Sequence, residues 1–244
     1  MPASEIAVKL ERLVKEYTPR IRAIDGITLT INNGEIFGLI GPNGAGKTTA
    51  LRILSTLLLP TAGKVSIFGM DVTRESTHIR KLISYLPEDA GAYENLSGRE
   101  YLQFIAGFFE GRKETMVENG IKIAALGERI DSRIKEYSKG MKRRLQIART
   151  LMVAPKLAIM DEPTSGLDIL HAHYVRNEIK RVIMETGAAA IISSHNLLEV
   201  EYLCTRVGMI NRGKLLVVGT PEELKRKYNA KNLEDVFMEV VKNG

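Results

Sequence analysis

Residues 41–48 read Gly41-Pro42-Asn43-Gly44-Ala45-Gly46-Lys47-Thr48 and satisfy G-x-x-x-x-G-K-[ST]. That spacing suits one chemistry. Glycines let backbone N–H groups converge on phosphate oxygens, and the amides and dipole of a following helix add to the attraction. Lys47 is placed to reach the β- and γ-phosphates of a nucleotide, and the Thr48 hydroxyl to ligate Mg²⁺. At average residue usage, a chance match in a chain of this length is on the order of 1%. A second pattern is Leu157-Ala158-Ile159-Met160-Asp161-Glu162, an apolar run ending in two carboxylates. Asp161 suits Mg²⁺ held through water. Glu162 lies one residue on, points differently, and can orient an attacking water. Alone the pair is a weak signal; behind a phosphate loop it is a strong one. His195 directly follows an apolar run and two serines, as at a strand-end active site.

These residues need strands and helices to aim them. Ile36–Ile40 is a buried run ahead of the glycine-rich loop, after a turn at Asn32-Asn33-Gly34. A helix is expected from about 47 to 58, then a turn from Pro60 to Gly63 and a short strand at Val65–Phe68. Before the loop, Ile6, Val8 and Leu10 alternate, as do Ile27, Leu29 and Ile31, which predicts strands. Residues 89–150 differ. Ser97 and Glu100 form a capping-box pattern ahead of Tyr101, Leu102, Ile105 and Phe109, and helical periodicity continues through Ile121–Leu126. Strand signals return at Leu157–Met160 and Ala189–Ser193 around a helix near 170–186, which is the parallel crossover pattern. Strands at about 206–211 and 214–218 flank Arg212-Gly213. Thr220-Pro221-Glu222-Glu223 then opens a helix. The fold class expected is α/β, with a mostly parallel sheet, an N-terminal antiparallel β part and a helical insertion. The division expected is a nucleotide core at 1–88 and 151–220, a helical part at 89–150 and a helical tail at 221–244.

Composition narrows the function classes. The chain has 244 residues, 44% hydrophobic and 26% charged, a globular balance that argues against disorder and coiled coil. Its formal charge is +6, and residues 133–149 carry seven basic side chains against Glu136 alone, a local net of +6. So concentrated an excess does not suggest a diffuse nucleic-acid surface, and no nucleic acid is expected as partner. One cysteine, Cys204, fits a reducing compartment. No apolar run approaches the ~18 residues that cross a bilayer, and no basic-then-apolar leader is seen. A soluble, intracellular protein is expected. Any work at a membrane would need another chain for the spans.

Glu162 is followed by Pro163-Thr164-Ser165-Gly166-Leu167-Asp168. Upstream lies Tyr137-Ser138-Lys139-Gly140-Met141, and downstream Ser194-His195. In this order and spacing, with the phosphate loop, the chain resembles the ATP-binding subunit of ABC transporters over residues 5–225. The resemblance implies a P-loop NTPase fold that binds ATP and Mg²⁺. It implies that Tyr17 stacks on adenine, that Gly41, Pro42, Asn43, Gly44, Ala45, Gly46, Lys47, Thr48 and Thr49 hold the phosphates, and that Thr48, Asp161 and Glu88 serve the metal. Glu162 then corresponds to the catalytic carboxylate, with Lys47 and His195 on the γ-phosphate. Ser138, Gly140 and Asp168 correspond to residues that act across an ATP-driven head-to-tail dimer, with a second copy or a related chain. The implied partner is an integral membrane permease, which puts the chain on the cytoplasmic face of the cell membrane.

Two departures stand out. The usual signature has Leu, Gly and Gln where this chain has Tyr137, Lys139 and Met141, and the usual Gln is Glu88 here. A carboxylate can still ligate Mg²⁺ or its water but cannot donate as an amide does. Both departures, and the ending Leu233-Glu234-Asp235-Val236-Phe237, are similar to the ABC-2 branch that serves multidrug and sodium efflux. Tyr93, Leu96, Phe104, Phe108 and Phe109 are candidate permease contacts or simply core of the helical part. On the basic helix, Lys139, Lys142, Arg143, Gln146 and Arg149 share one side and Met141, Leu145, Ala148 and Met152 the other. The basic side reads as a solvated face, or as a field that draws a triphosphate-bearing partner. A soluble single-cassette ATPase, such as a cluster-assembly scaffold, is the alternative function. A nucleotide-gated module with little turnover fits Asp161, Glu162 and His195 less well.

Overall fold

A computed structural model describes residues 6–18 and 20–243. The N-terminal alternation builds a four-stranded antiparallel sheet from β1 (Ile6–Thr18), β2 (Ile21–Asn32), β4 (Ala62–Ile67) and β5 (Met70–Asp71), in the order β2-β1-β4-β5. The second sheet holds β3 (Ile36–Ile40), β6 (Ile83–Leu86), β7 (Leu157–Asp161), β8 (Ala189–Ser194), β9 (Arg206–Asn211) and β10 (Lys214–Gly219). Its order is β10-β9-β3-β8-β7-β6, parallel throughout except for the β9–β10 pair. The short Arg212-Gly213 link dictates that exception, since two residues can join only antiparallel neighbours.

The parallel strands are covered on both faces, which is why their sequences read as unbroken apolar runs. Residues alternate between two cores. Phe37, Leu39, Leu157 and Ile159 face α1 (Lys47–Leu54) and the antiparallel sheet. Ile36, Ile40, Ala158 and Met160 face the other helices. Phe37 is fully buried, which by area is worth about 1.5–3 kcal/mol. On the second face lie α3 (Gly98–Ala106), α4 (Lys113–Ala124), α5 (Lys139–Leu151), α6 (Ile169–Thr186), α7 (Leu197–Leu203), α8 (Pro221–Lys227) and α9 (Leu233–Asn243). A short α2 (Ser76–Arg80) precedes β6. α9 docks through the buried Leu233, Val236 and Val240. Among the described residues no helix is long and apolar enough to cross a membrane.

The expected caps form. Ser97 and Glu100 close a capping box on α3, and Thr220 and Glu223 close one on α8 behind Pro221. β4 already begins at Ala62, inside the turn expected over Pro60–Gly63, and a helix end differs as well. α1 ends at Leu54, not near 58. The Ser55 hydroxyl turns back onto the Leu51 carbonyl at 2.7 Å, and Thr56 takes the left-handed conformation at φ +59. Both end a helix whose apolar pattern runs on into the exposed Leu57 and Leu59.

Candidate nucleotide site

The parallel sheet presents the carboxyl ends of β3, β7 and β8 along one edge. The register sets Asp161 opposite Ser193 and Ile40 opposite Ser194. Loops leaving one edge of such a sheet converge, so Gly41–Gly46, Glu162 and His195 meet although they are far apart in sequence. They meet at a cavity of about 270 Å³, lined by Ala23, residues 42–49, Glu88 and Glu162. Two glycines are demanded by the loop. Gly46 caps α1 at φ +108, and a Cβ there would overlap the Ala23 carbonyl oxygen. A Cβ at Gly41 would overlap the carbonyl oxygen of Ile210.

Lys47 is 6% exposed. Its ammonium donates to the Gly41 carbonyl at 2.6 Å and lies 3.4 Å from Glu162 Oε1. The other Glu162 oxygen lies 2.8 Å from His195 Nδ1. An ionised carboxylate only accepts, so the ring N–H is the donor. Lysine, carboxylate and imidazole thus form one connected set. Glu162 has φ +47, a left-handed backbone that costs a non-glycine about 1–2 kcal/mol. Its N–H is held by the carbonyl and hydroxyl of Ser193, at 3.2 and 3.0 Å. The same hydroxyl donates to Asp161 Oδ1 at 2.5 Å.

The second oxygen of Asp161, Oδ2, is buried and has no hydrogen-bond partner among the described residues. An unpaired buried carboxylate oxygen is costly, and it fits the hard-cation chemistry that Thr48 and Asp161 offer together. Among the described residues, no three His, Cys, Asp or Glu side chains gather as a stand-alone metal site. Mg²⁺ commonly needs only one or two carboxylates beside substrate phosphates. Glu88 lines the cavity with an exposed side chain. Tyr17 stands just outside that lining, half-exposed, its hydroxyl 3.3 Å from Thr49 Oγ1.

Ser138, Gly140 and Asp168 are not brought to this cavity. They sit together elsewhere, at two helix starts. Ser138 caps α5 by accepting from the Met141 N–H at 3.2 Å. Asp168 caps α6 through the His171 N–H at 2.9 Å and also meets His171 Nδ1 at 2.7 Å. These bonds, the backbone one first, hold the Asp168 carboxyl below the usual carboxylate range. The His171 ring packs so closely on Gly140 that a Cβ there would strike it, so the starts of α5 and α6 share one surface.

The basic side of α5 is solvated only at its start, where Lys139 is exposed and Lys142 half-buried. Arg143 and Gln146 are buried, and Arg149 donates inward to the Tyr85 carbonyl at 3.3 Å. Gln146 donates to the Gly91 carbonyl at 2.6 Å. A helical wheel says which residues share a side but not that the 85–91 and 161–165 segments cover it. Ser193 was missed as a site residue. Its place opposite Asp161 in parallel register was the available signal.

The ABC transporter family model matches residues 24–165. The chain belongs to the ABC transporter family. By family it is an ATP-binding domain and an ATPase. It is 37% identical over 222 residues to the daunorubicin/doxorubicin resistance ATP-binding protein DrrA of Streptomyces peucetius, covering 90% of this chain and 67% of that one. It is 37% identical over 227 residues to the bacitracin transport ATP-binding protein BcrA of Bacillus licheniformis, covering 93% of this chain and 74% of the other. Among solved structures, an ATP binding subunit of an ABC transporter superposes with a TM-score of 0.86 at 27% identity, over 96% of this chain and 99% of that one. A dimeric post-hydrolysis ATP-binding cassette bound to ADP and Pi gives 0.79 at 25% identity, over 87% and 98%. The α/β reading, with its antiparallel sheet and mostly parallel sheet, is the fold found.

Proposed function

We propose that this ABC ATPase powers efflux through a separate membrane permease, and that ATP closes two such chains head to tail. The observation that carries the reading is the connected Lys47–Glu162–His195 set at the mouth of the phosphate loop. In this reading the amides of residues 42–48 bind the phosphates and Lys47 neutralises them. Tyr17 lies beside Thr49 and stacks on the adenine. Glu162 accepts a proton from the attacking water, and His195 holds the Glu162 carboxylate and the γ-phosphate in line. Thr48, Asp161 and Glu88 would hold Mg²⁺, which when bound would supply positive charge to the phosphates.

Ser138, Gly140 and Asp168 share a surface away from the chain's own cavity, which supports their acting on ATP held by the other subunit. The helix start at Ser138 offers free amides and the positive end of a dipole to that γ-phosphate. We assign 1–88 and 151–220 to the nucleotide core, 89–150 to a helical part that passes motion onward, and 221–244 to a tail. Tyr93, Phe104 and Phe108 form an exposed edge-to-face row, with centroids 5.2 and 5.1 Å apart. That row is the proposed permease contact on the cytoplasmic face of the membrane. Efflux is favoured by the resistance and transport proteins among the relatives. Affinity purification from detergent-solubilised membranes tests the reading: a multi-span protein should co-purify, and recovery of soluble partners alone would overturn it.

A further inference from the structure

Arg143 is 8% exposed and pairs with no carboxylate among the described residues, yet its guanidinium is fully engaged. Nε donates to the Pro163 carbonyl at 2.7 Å. Nη2 donates to the carbonyls of Asp161 at 3.0 Å and Glu162 at 2.7 Å. Nη1 donates to those of Glu88 at 3.0 Å and Pro87 at 3.3 Å. One rigid fork on α5 therefore grips the backbone around Glu162 and the backbone that carries Glu88. Burial draws its pKa down to about 10, with Glu88 and Asp161 opposing the fall, so it stays charged at neutral pH.

Glu162 is pinned from both sides. Ser193 holds its N–H and Arg143 holds its carbonyl, and between those anchors the residue keeps a left-handed backbone. That backbone sets where the carboxylate points. The guanidinium is a direct link from α5 and residues 87–88 to that backbone. We propose that Arg143 is a positioning residue for ATP hydrolysis, holding Glu162 in line and making its alignment depend on α5 and the 87–88 segment.

The inference rests on the reading of Glu162 as the catalytic carboxylate. Lysine cannot replace the fork, because an ammonium is a point donor that cannot span five carbonyls on two segments. A displacement near 1 Å at a reacting group costs about 10²-fold in rate. In the full chain, Arg143→Lys and Arg143→Gln should lower kcat for ATP at least tenfold. The ATP Kd, by equilibrium binding, should stay within about twofold. Adding Arg143→Lys to Glu162→Gln should cost nothing further, since the aligned group is already gone. A folded Arg143→Lys chain with kcat within twofold of the parent overturns the proposal. So does a parallel loss of kcat, ATP affinity and melting temperature in both variants, which would mark Arg143 as structural only. If Glu162→Gln itself keeps full turnover, it is the reading of Glu162 that fails.

Discussion

Glu162→Gln keeps the shape of the side chain and removes its charge and its proton affinity. At 3.4 Å and an effective dielectric of about 20, the attraction to Lys47 is about 5 kcal/mol. The desolvation of two buried ions opposes it by several kcal/mol each. Lys47 also keeps the Gly41 carbonyl at 2.6 Å, so its ammonium is not stranded. The net change in stability should stay below about 2 kcal/mol, a shift of roughly 4–8 °C at most for a chain of this size. The backbone anchors from Ser193 and Arg143 are untouched, so the loop and its ATP affinity should survive. Turnover should not. A positioned base contributes about 10²–10⁴-fold, which is about 2.7–5.5 kcal/mol on the barrier. Phosphate release at saturating ATP and Mg²⁺ should therefore fall at least a hundredfold. Calorimetric ATP binding should stay within a few-fold, and ATP should now hold the chain as a dimer on size exclusion. Turnover within threefold of the parent refutes the role of Glu162. A fall in affinity as large as the fall in rate would make Glu162 a binding residue instead.

Lys47→Ala removes an ammonium buried against the loop, and the ATP Kd should weaken at least tenfold in the same binding assay. Gly41→Ala drives a methyl into the Ile210 carbonyl. Overpacking of that kind costs about 1–3 kcal/mol, so the melting temperature should drop by about 2–12 °C. The Asp168 carboxyl should titrate below the ~3.9 of a free Asp when followed by NMR. Its cap then supports the fold above that pH and is lost as pH falls through the lowered value. His171→Ala should restore only part of the shift, because the larger cause is the His171 backbone N–H, which alanine keeps.

The sequence declared the strands because parallel strands covered on both faces must be apolar throughout, and Ile36–Ile40 and Leu157–Met160 are. It declared the cap residues because Ser97, Ser138 and Thr220 act on amides only three residues away. It declared Gly41–Thr48 because glycine spacing there is fixed by backbone contact. What it hid is long-range. The partners of Arg143 lie 18–20 residues ahead and 55–56 behind, and helical periodicity carries no information over that distance. The overlong helix at 47–58 failed for a local reason. Leu57 and Leu59 continue the apolar count, but Thr56 has already left the helix.

The positive charge at 133–149 is used largely in packing. Five of its seven basic side chains are held, four of them by neutral groups. Arg133 donates to the Asn95 carbonyl, Arg143 to five carbonyls, Arg144 to those of Ala124 and Ala125, and Arg149 to that of Tyr85. Lys142 is the one among them that pairs with a carboxylate, Glu94 at 2.6 Å. A carbonyl satisfies a donor without cancelling its charge. The arginines of α5 therefore tie the helix to the segments around it through carbonyls, and Lys142 ties it through one carboxylate. The charge excess of the segment is put to use in holding the helix whose start carries Ser138 and Gly140, and packing accounts for it before any ligand is invoked.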